Sequence, residues 1–319
     1  MQVPAIPATP VFAGIDVSKS ELVIATGTCL ETIANTPKDI ATWLESLPAG
    51  STLAVEATGG YETAILLAGH AAGHRCYCLN PKDVRHYARA IGLRAKTDGV
   101  DARMLARYIE HEHGHLHRWQ PSSERQTEID TLLRRRDTLV GSLVKVRLAL
   151  TGVPPLAASL KALVAQYTQT LKVIEQQLRA LVAGSEPLSQ LYGLLCSIPG
   201  VGPLNATQLA NVLTRIRFAR SDALVAFVGL DPRPHDSGQS RGVRRLSKRG
   251  STLMRKLLYT AAMAACRHLT FRPIYQALRA RGLPSTAAYN IVARKILRIA
   301  FAVYKSNQPF NPAMVGKTT

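Results

Sequence analysis

Acidic residues are scarce in this chain: 21 Asp and Glu face 40 Lys and Arg, a formal charge of +19. An excess of that size repels itself in a compact fold unless a polyanion offsets it, so nucleic acid is the expected partner. Long apolar runs are missing too. None reaches the roughly 18 to 20 residues of a spanning helix, and the opening MQVPAIPATPVFAGID has no basic segment followed by an apolar one. Neither a membrane span nor an export signal is expected. Cysteine is sparse and odd in number: Cys29, Cys76, Cys78, Cys196 and Cys266. None forms a CxxC pair or stands at zinc-like spacing with histidine. A disulfide scaffold and a zinc finger are thereby excluded, leaving reduced packing residues in a cytoplasmic protein. The run HEHGHLH, His111 to His117, alternates four histidines; it is either a transition-metal site, if extended, or a polar linker closing a domain.

What is present is globular. The 319 residues and 46% hydrophobic content suffice for more than one core. Phe12 to Thr26 alternates like a strand hairpin, with FAGIDV buried and ELVIATG beside it. A third extended segment spans Glu31 to Asn35. Pro37 opens a helix running to Leu47, Leu53 to Glu56 is a short apolar strand, Tyr61 to Ala72 is helical, and His74 to Asn80 is another strand. The order of strands and helices, ending in a helix at Asp98, predicts an α/β domain over 1–118. From 119 to 187 glycine becomes scarce and two helices are expected, broken at Pro154 and Pro155. On the second, Leu160, Val164, Tyr167, Leu171, Ile174, Leu178 and Leu181 keep a four-three spacing, a coiled-coil seam that serves either a hairpin packing on itself or pairing between molecules. The remainder, 188–319, reads as helical and basic, with helices at Ser251 to His268 and Thr286 to Lys305.

The few acids are placed unusually. Asp16 lies inside an apolar strand, where an unpaired charge is costly, and Glu56 ends the strand LAVE in the same way. Asp98 and Asp101 have a plain explanation as N-cap and first-turn acid of a helix. In an RNase H-like fold, however, the first strand and a later one lie side by side with the last helix across them, and all four carboxylates converge. Oxygen ligands of this kind suit Mg²⁺ or Mn²⁺, and an i, i+3 pair lets Asp98 and Asp101 approach one site. Arg94, Lys96 and Arg103 would then hold phosphate.

Further along, PRPHDSGQS carries Ser237 ahead of Arg241, Arg244, Arg245, Lys248 and Arg249. The loop is either a solvated turn with phosphate-binding arginines or the seat of a nucleophilic Ser237 whose phosphorane charge the arginines stabilise. Ser240, Ser247 and Ser251 are rivals by chemistry alone, although Ser251 reads as a helix N-cap. IPGVGP is either half of a phosphate-binding helix-hairpin-helix or a tight turn between helices.

Taken together, GIDVSK around Asp16, EATGGYE around Glu56, KTDGVDA, IPGVGP, GLDPRPHDSG and KRGSTLMRKLL resemble the DEDD-type bacterial insertion-sequence transposases, the group numbered one hundred and ten, with the related pilin-gene invertase Piv. The resemblance covers nearly the whole chain in order. It implies a RuvC-like N-terminal domain whose acidic quartet matches Asp16, Glu56, Asp98 and Asp101 around Mg²⁺. It also implies a coiled-coil connector and a helical C-terminal transposase domain whose nucleophilic serine matches Ser237. Arg255 and Lys256, in KRGSTLMRKLL, join the basic residues expected to meet nucleic acid. The family further implies a bridge RNA that pairs with donor and target DNA, and dimers assembling to tetramers at the nucleoid. Ser251 departs from the asparagine common after KRG in the family. Two other readings are a junction-resolving nuclease, which uses the same quartet to activate water, and a non-catalytic nucleic-acid-binding protein.

Overall fold

The computed structural model describes residues 9–93, 97–233, 236–237, 240–241, 245–313 and 315, the side chains of 236, 237, 240 and 241 excepted. It divides into two compact units, 1–121 and 122–319.

In the first unit, alternation along the chain becomes three antiparallel strands, β1 (Phe12–Val17), β2 (Glu21–Thr26) and β3 (Cys29–Ala34). Two further strands, β4 (Thr52–Glu56) and β5 (Arg75–Leu79), run parallel to β1, and the sheet order is β3-β2-β1-β4-β5. Strand alternation sorts the side chains into two layers. Ala13, Ile15 and Val17 pack with Leu53 and Val55 against α1 (Pro37–Glu45) and α2 (Thr63–Ala71). On the other face Ala54, Tyr77 and Leu79 pack against α3 (Pro81–Ala90) and α4 (Asp98–Glu112). Proline supplies a preset φ at the first position of α1 and of α3, and Thr36 and Asn80 cap them by accepting from Asp39 N and Lys82 N. Helix α3 is absent from the sequence expectations. Only Val84 of it is buried, so its apolar periodicity is too thin to register.

Only two of the five cysteines are packing residues. Cys76 and Cys266 are buried, whereas Cys29, Cys78 and Cys196 are exposed, and all five are free. The ring of His113, in the histidine run, packs at a tilt against Phe12 with centroids 5.2 Å apart, and among the described residues no group of three or more His, Cys, Asp or Glu forms a metal site.

His74, at the mouth of β5, is buried and its Nδ1 has no partner among the described residues. Burial pushes its imidazole below the ordinary value, against a hydrogen bond that the ring donates to the Leu44 backbone, which raises it. The folded state therefore keeps His74 neutral where the unfolded chain takes up a proton. Its contribution is complete above about pH 6.5 and is lost as pH falls below that value. Thermal melts at pH 7.5 and 5.5 should show the wild type losing about 2 °C more than His74→Gln.

The second unit opens with a helical hairpin, α5 (Glu124–Leu150) and α6 (Ala157–Ala183), reversed through Gly152 at φ +84° ahead of Pro154 and Pro155. Arg125 Nη1 donates to Leu181 O at 2.8 Å and Arg136 pairs with Glu175 at 2.8 Å, which fixes the two helices antiparallel. Ile174 and Leu178 of the seam are buried with Ile129 and Leu133 of α5. Away from that base the hairpin leaves Val144 51%, Leu148 77% and Leu163 37% exposed. The base shares one core with α7 (Glu186–Cys196), α8 (Pro203–Arg215), α9 (Ser221–Val228), α10 (Thr252–Ala265), α11 (Arg272–Ala280) and α12 (Ser285–Ser306). The segment expected as a connector thus packs as part of the C-terminal unit. Between α9 and α10 lie four two-residue strands, β6 (Pro232–Arg233), β7 (Asp236–Ser237), β8 (Ser240–Arg241) and β9 (Arg245–Leu246). No helix of the described residues is long and apolar enough to cross a membrane.

Candidate catalytic site

The register that pairs Gly14 with Ala54 and Ile15 with Val55 sets the geometry of the first unit's acids. In parallel strands such partners share a face, and side chains two residues on return to it. Asp16 and Glu56 therefore stand at the C-terminal ends of neighbouring strands on the face that carries Gly14. That face is covered by α4. A Cβ built on Gly14 would lie 2.1 Å from both Ala102 O and Ala106 N, so the helix backbone rests directly on β1.

Asp98 and Asp101 occupy the first turn of this helix, about 60° apart around its axis. Thr97, not Asp98, is the N-cap, accepting from Val100 N at 3.4 Å. The cap expected at Asp98 is thus displaced by one residue, which releases Asp98 from that duty. Asp16, Glu56 and Asp101 are half-buried, Asp98 is exposed, and Asp16, Glu56 and Asp101 each hold a polar interaction already. As donors the four fit a hard cation: all are carboxylates, two sit on adjacent strand ends, and two sit at a helix N-terminus on the same face of the sheet. They are not gathered into a closed ligand shell, since no metal-ligating group of three is found among the described residues.

Arg103 does not join them. It lies about 160° around α4 from Asp101 and lines a cavity with Val11, Phe12, Arg107 and His111, at the opening end of β1, whereas Asp16 is near its close. Arg94 and Lys96 lie outside the described residues.

In the second unit Ser237 belongs to a narrow ribbon. Pro232 pairs with Leu246 and Arg233 with Arg245, then Asp236 with Arg241 and Ser237 with Ser240, all antiparallel. Ser237 is thus in the pair farthest from the ribbon's root. The side chains of Ser237 and Arg241, and all of Arg244, lie outside the described residues. Two of the rival serines are engaged elsewhere. Ser247 is buried and donates to Asp231 Oδ1, and Ser251 caps α10 by accepting from Met254 N at 3.3 Å.

The basic residues divide by use. Arg245, Lys248 and Arg249 are exposed. Arg255 instead donates to Val228 O at 3.2 Å and Gly250 O at 2.5 Å, and burial pushes its guanidinium down. It pins the KRG loop, whose Gly250 would drive a Cβ to 2.0 Å from Phe227 O. Lys256 pairs with Asp137 at 2.5 Å. The IPGVGP segment is a tight turn between α7 and α8. Gly200, at φ +86°, packs against Ala261 O and Ala265 N of α10. Sequence reasoning also passed over Lys82, Arg85, His86 and Arg89, exposed along one side of α3; their i, i+3, i+4, i+7 spacing is a signal that could have found them.

Two family models match the chain. One, described as "Transposase" and defined on DEDD-type IS110 proteins, covers residues 13–153; the other, "Transposase IS116/IS110/IS902 family", covers 192–276. Pilin gene-inverting proteins are similar over most of their length. That of Moraxella lacunata is 28% identical over 267 residues, 81% of each chain, and that of Moraxella bovis is 28% identical over 270 residues, again 81% of each. The transposase for insertion sequence element IS1111A of Coxiella burnetii is 40% identical over 96 residues, 30% of this chain and 25% of that one. The two matched segments contain all four acids and Ser237. The chain is a DNA transposase or recombinase, and it belongs to the IS116/IS110/IS902 transposase family.

Proposed function

We propose that this transposase cuts and rejoins DNA through a phosphoserine intermediate, using a RuvC-like acidic quartet and a serine recombinase step. The observation that carries the reading is the place of Asp16 and Glu56, each one residue beyond the paired Ile15 and Val55 on adjacent parallel strands, on the face covered by α4 with Asp98 and Asp101 in its first turn. Mg²⁺, or Mn²⁺, held by these carboxylates would neutralise charge on the phosphate oxygens of the backbone. Ser237 supplies the nucleophile. Its Oγ forms a bond to phosphorus as one P–O bond of the backbone breaks, and the serine proton passes, in net terms, to the freed sugar hydroxyl. Attack by a new strand's hydroxyl reverses these changes and restores the serine. The structural duties of Ser247 and Ser251 support Ser237 over two of its three rivals. Arg245, Lys248 and Arg249 contact phosphate.

Sequence choice falls to a structured bridge RNA pairing with donor and target DNA in the cytoplasm, at the nucleoid. The +19 charge suits two nucleic acids at once. The exposed Val144, Leu148 and Leu163 of the hairpin support pairing between subunits, as a dimer that assembles to a tetramer.

The test is co-expression of the chain with its native flanking DNA, purification in high salt, and sequencing of the bound RNA. Substrates built from that RNA are then offered with Mg²⁺ and the product denatured. The expected result is one RNA species and a covalent DNA adduct on the peptide containing Ser237, absent in Ser237→Ala. Cleavage without an adduct would replace this reading by a water-activating, junction-resolving nuclease. Heterogeneous RNA would remove the guide.

A further inference from the structure

We propose that Arg294, Lys295 and Arg298 of α12 form a binding site for a backbone phosphate of the DNA substrate, at the root of the ribbon that carries Ser237. The inference deepens the proposed function and rests on it for the identity of the strand. The three residues lie within about 100° of one another around the helix, on one flank. Arg298 is anchored from Nε and Nη2 to Asp222 Oδ1 of α9, at 3.2 and 3.0 Å. Arg294, one turn earlier, is half-buried, and its Nε is sequestered from solvent without a hydrogen-bond partner among the described residues. A buried donor left unused costs about 1 to 3 kcal/mol.

Electrostatics points the same way. Burial pushes Arg294 and Lys295 below their ordinary values, and the charge of Arg298 pushes both down further. Asp231 offsets part of this at Arg294, but that carboxylate also accepts the Ser247 hydroxyl. Three crowded cations with a spare, desolvated donor are a poor arrangement for an isolated fold and a good one for a phosphodiester, which brings one negative charge and acceptor oxygens. Balancing Asp231 alone would need a single arginine.

The place is informative. Asp231 and Ser247 are joined by a backbone hydrogen bond at 3.0 Å and flank the ribbon on either side. Ser237 is six positions beyond Asp231, at most roughly 20 Å of extended chain. A phosphate held by α12 is therefore within about six phosphates of the one Ser237 attacks, along one strand of a duplex.

The test is salt-titrated binding of a short DNA duplex to the full chain. Arg294→Gln and Arg298→Gln should each weaken binding on the order of tenfold at 0.1 M salt and lower the salt slope by about 0.9, while Arg294→Lys keeps most of both. Asp222→Asn, at an exposed side chain, should tighten binding about threefold by releasing Arg298. Should Arg294→Gln fail to fold, the surface changes at Arg298 and Asp222 decide the matter. Unchanged binding in both, or a loss confined to single-stranded RNA, would overturn the site. A wild type that binds duplex with these variant effects yet forms no adduct would remove the serine chemistry and leave the site standing.

Discussion

Asp16→Asn should lower DNA strand cleavage by about 10³-fold, equivalent to roughly 4 kcal/mol of transition-state stabilisation, and leave the fold intact. Asparagine is nearly isosteric, so the strand pairing of Asp16 with Val23 is retained. What is lost is a negative charge aimed at the face shared with Glu56. Glu56→Gln should match it, and the double variant should be little worse than either single one, because residues acting through one metal fail together. Single-turnover cleavage measured across Mg²⁺ and Mn²⁺ concentrations checks this. A loss that high metal concentration rescues would locate the defect in metal affinity. Losses below tenfold at both positions would leave the acids as structural residues and end the metal reading. Thermal melts should differ from wild type by less than about 1 kcal/mol.

The legible parts of this molecule were those where one periodicity dominates. β1 to β5 appear in the sequence because alternation places Ala13, Ile15 and Val17 on one side and leaves Gly14 and Asp16 on the other. Even so, the sequence cannot reveal that Gly14 is a contact point; only the position of α4 shows that its missing side chain makes room for Ala102 and Ala106. Arg103 is near the acids in the chain, but two residues along a helix amount to more than half a turn. α3 was missed because its outward face is basic and Val84 is its one buried side chain. The cap at Asp98 was misplaced by one residue because Thr97 and Asp98 are both good caps, and local chemistry does not choose between neighbours. The glycines of IPGVGP fit a phosphate loop and a helix turn equally well, and the sequence does not show that α10 packs against Gly200.

The second unit shows how far such ambiguity extends for charge. Arg255 and Lys256 both read as phosphate ligands in a +19 chain. Arg255 serves the carbonyls of Val228 and Gly250, and Lys256 serves Asp137. Net charge predicts the class of partner, whereas the assignment of any one cation depends on acceptors brought from distant parts of the chain.

Gly14→Ala should unfold the first unit or come close to it. The new methyl would sit 2.1 Å from two backbone atoms of α4, Ala102 O and Ala106 N, where no side chain can rotate away. Relief requires moving the helix off the sheet by more than 1 Å, and ordinary overpacking already costs about 1 to 3 kcal/mol against a domain stability of roughly 5 to 15. Ala25, Ala102 and Ala106 are small for the same reason, and they leave no slack for the helix to slide. Gly114→Ala is the control. Its Cβ meets nothing within 4 Å, so its effect should stay within about 0.5 kcal/mol. Denaturant unfolding of the two variants measures the difference, and cleavage assays on any Gly14→Ala protein that stays folded separate packing from chemistry. Lifting α4 carries Asp98 and Asp101 away from Asp16 and Glu56, so activity should fall in that variant even where circular dichroism is normal. Full activity in a folded Gly14→Ala protein would mean that the acids of α4 do not need the position this helix holds, and the quartet would reduce to Asp16 and Glu56.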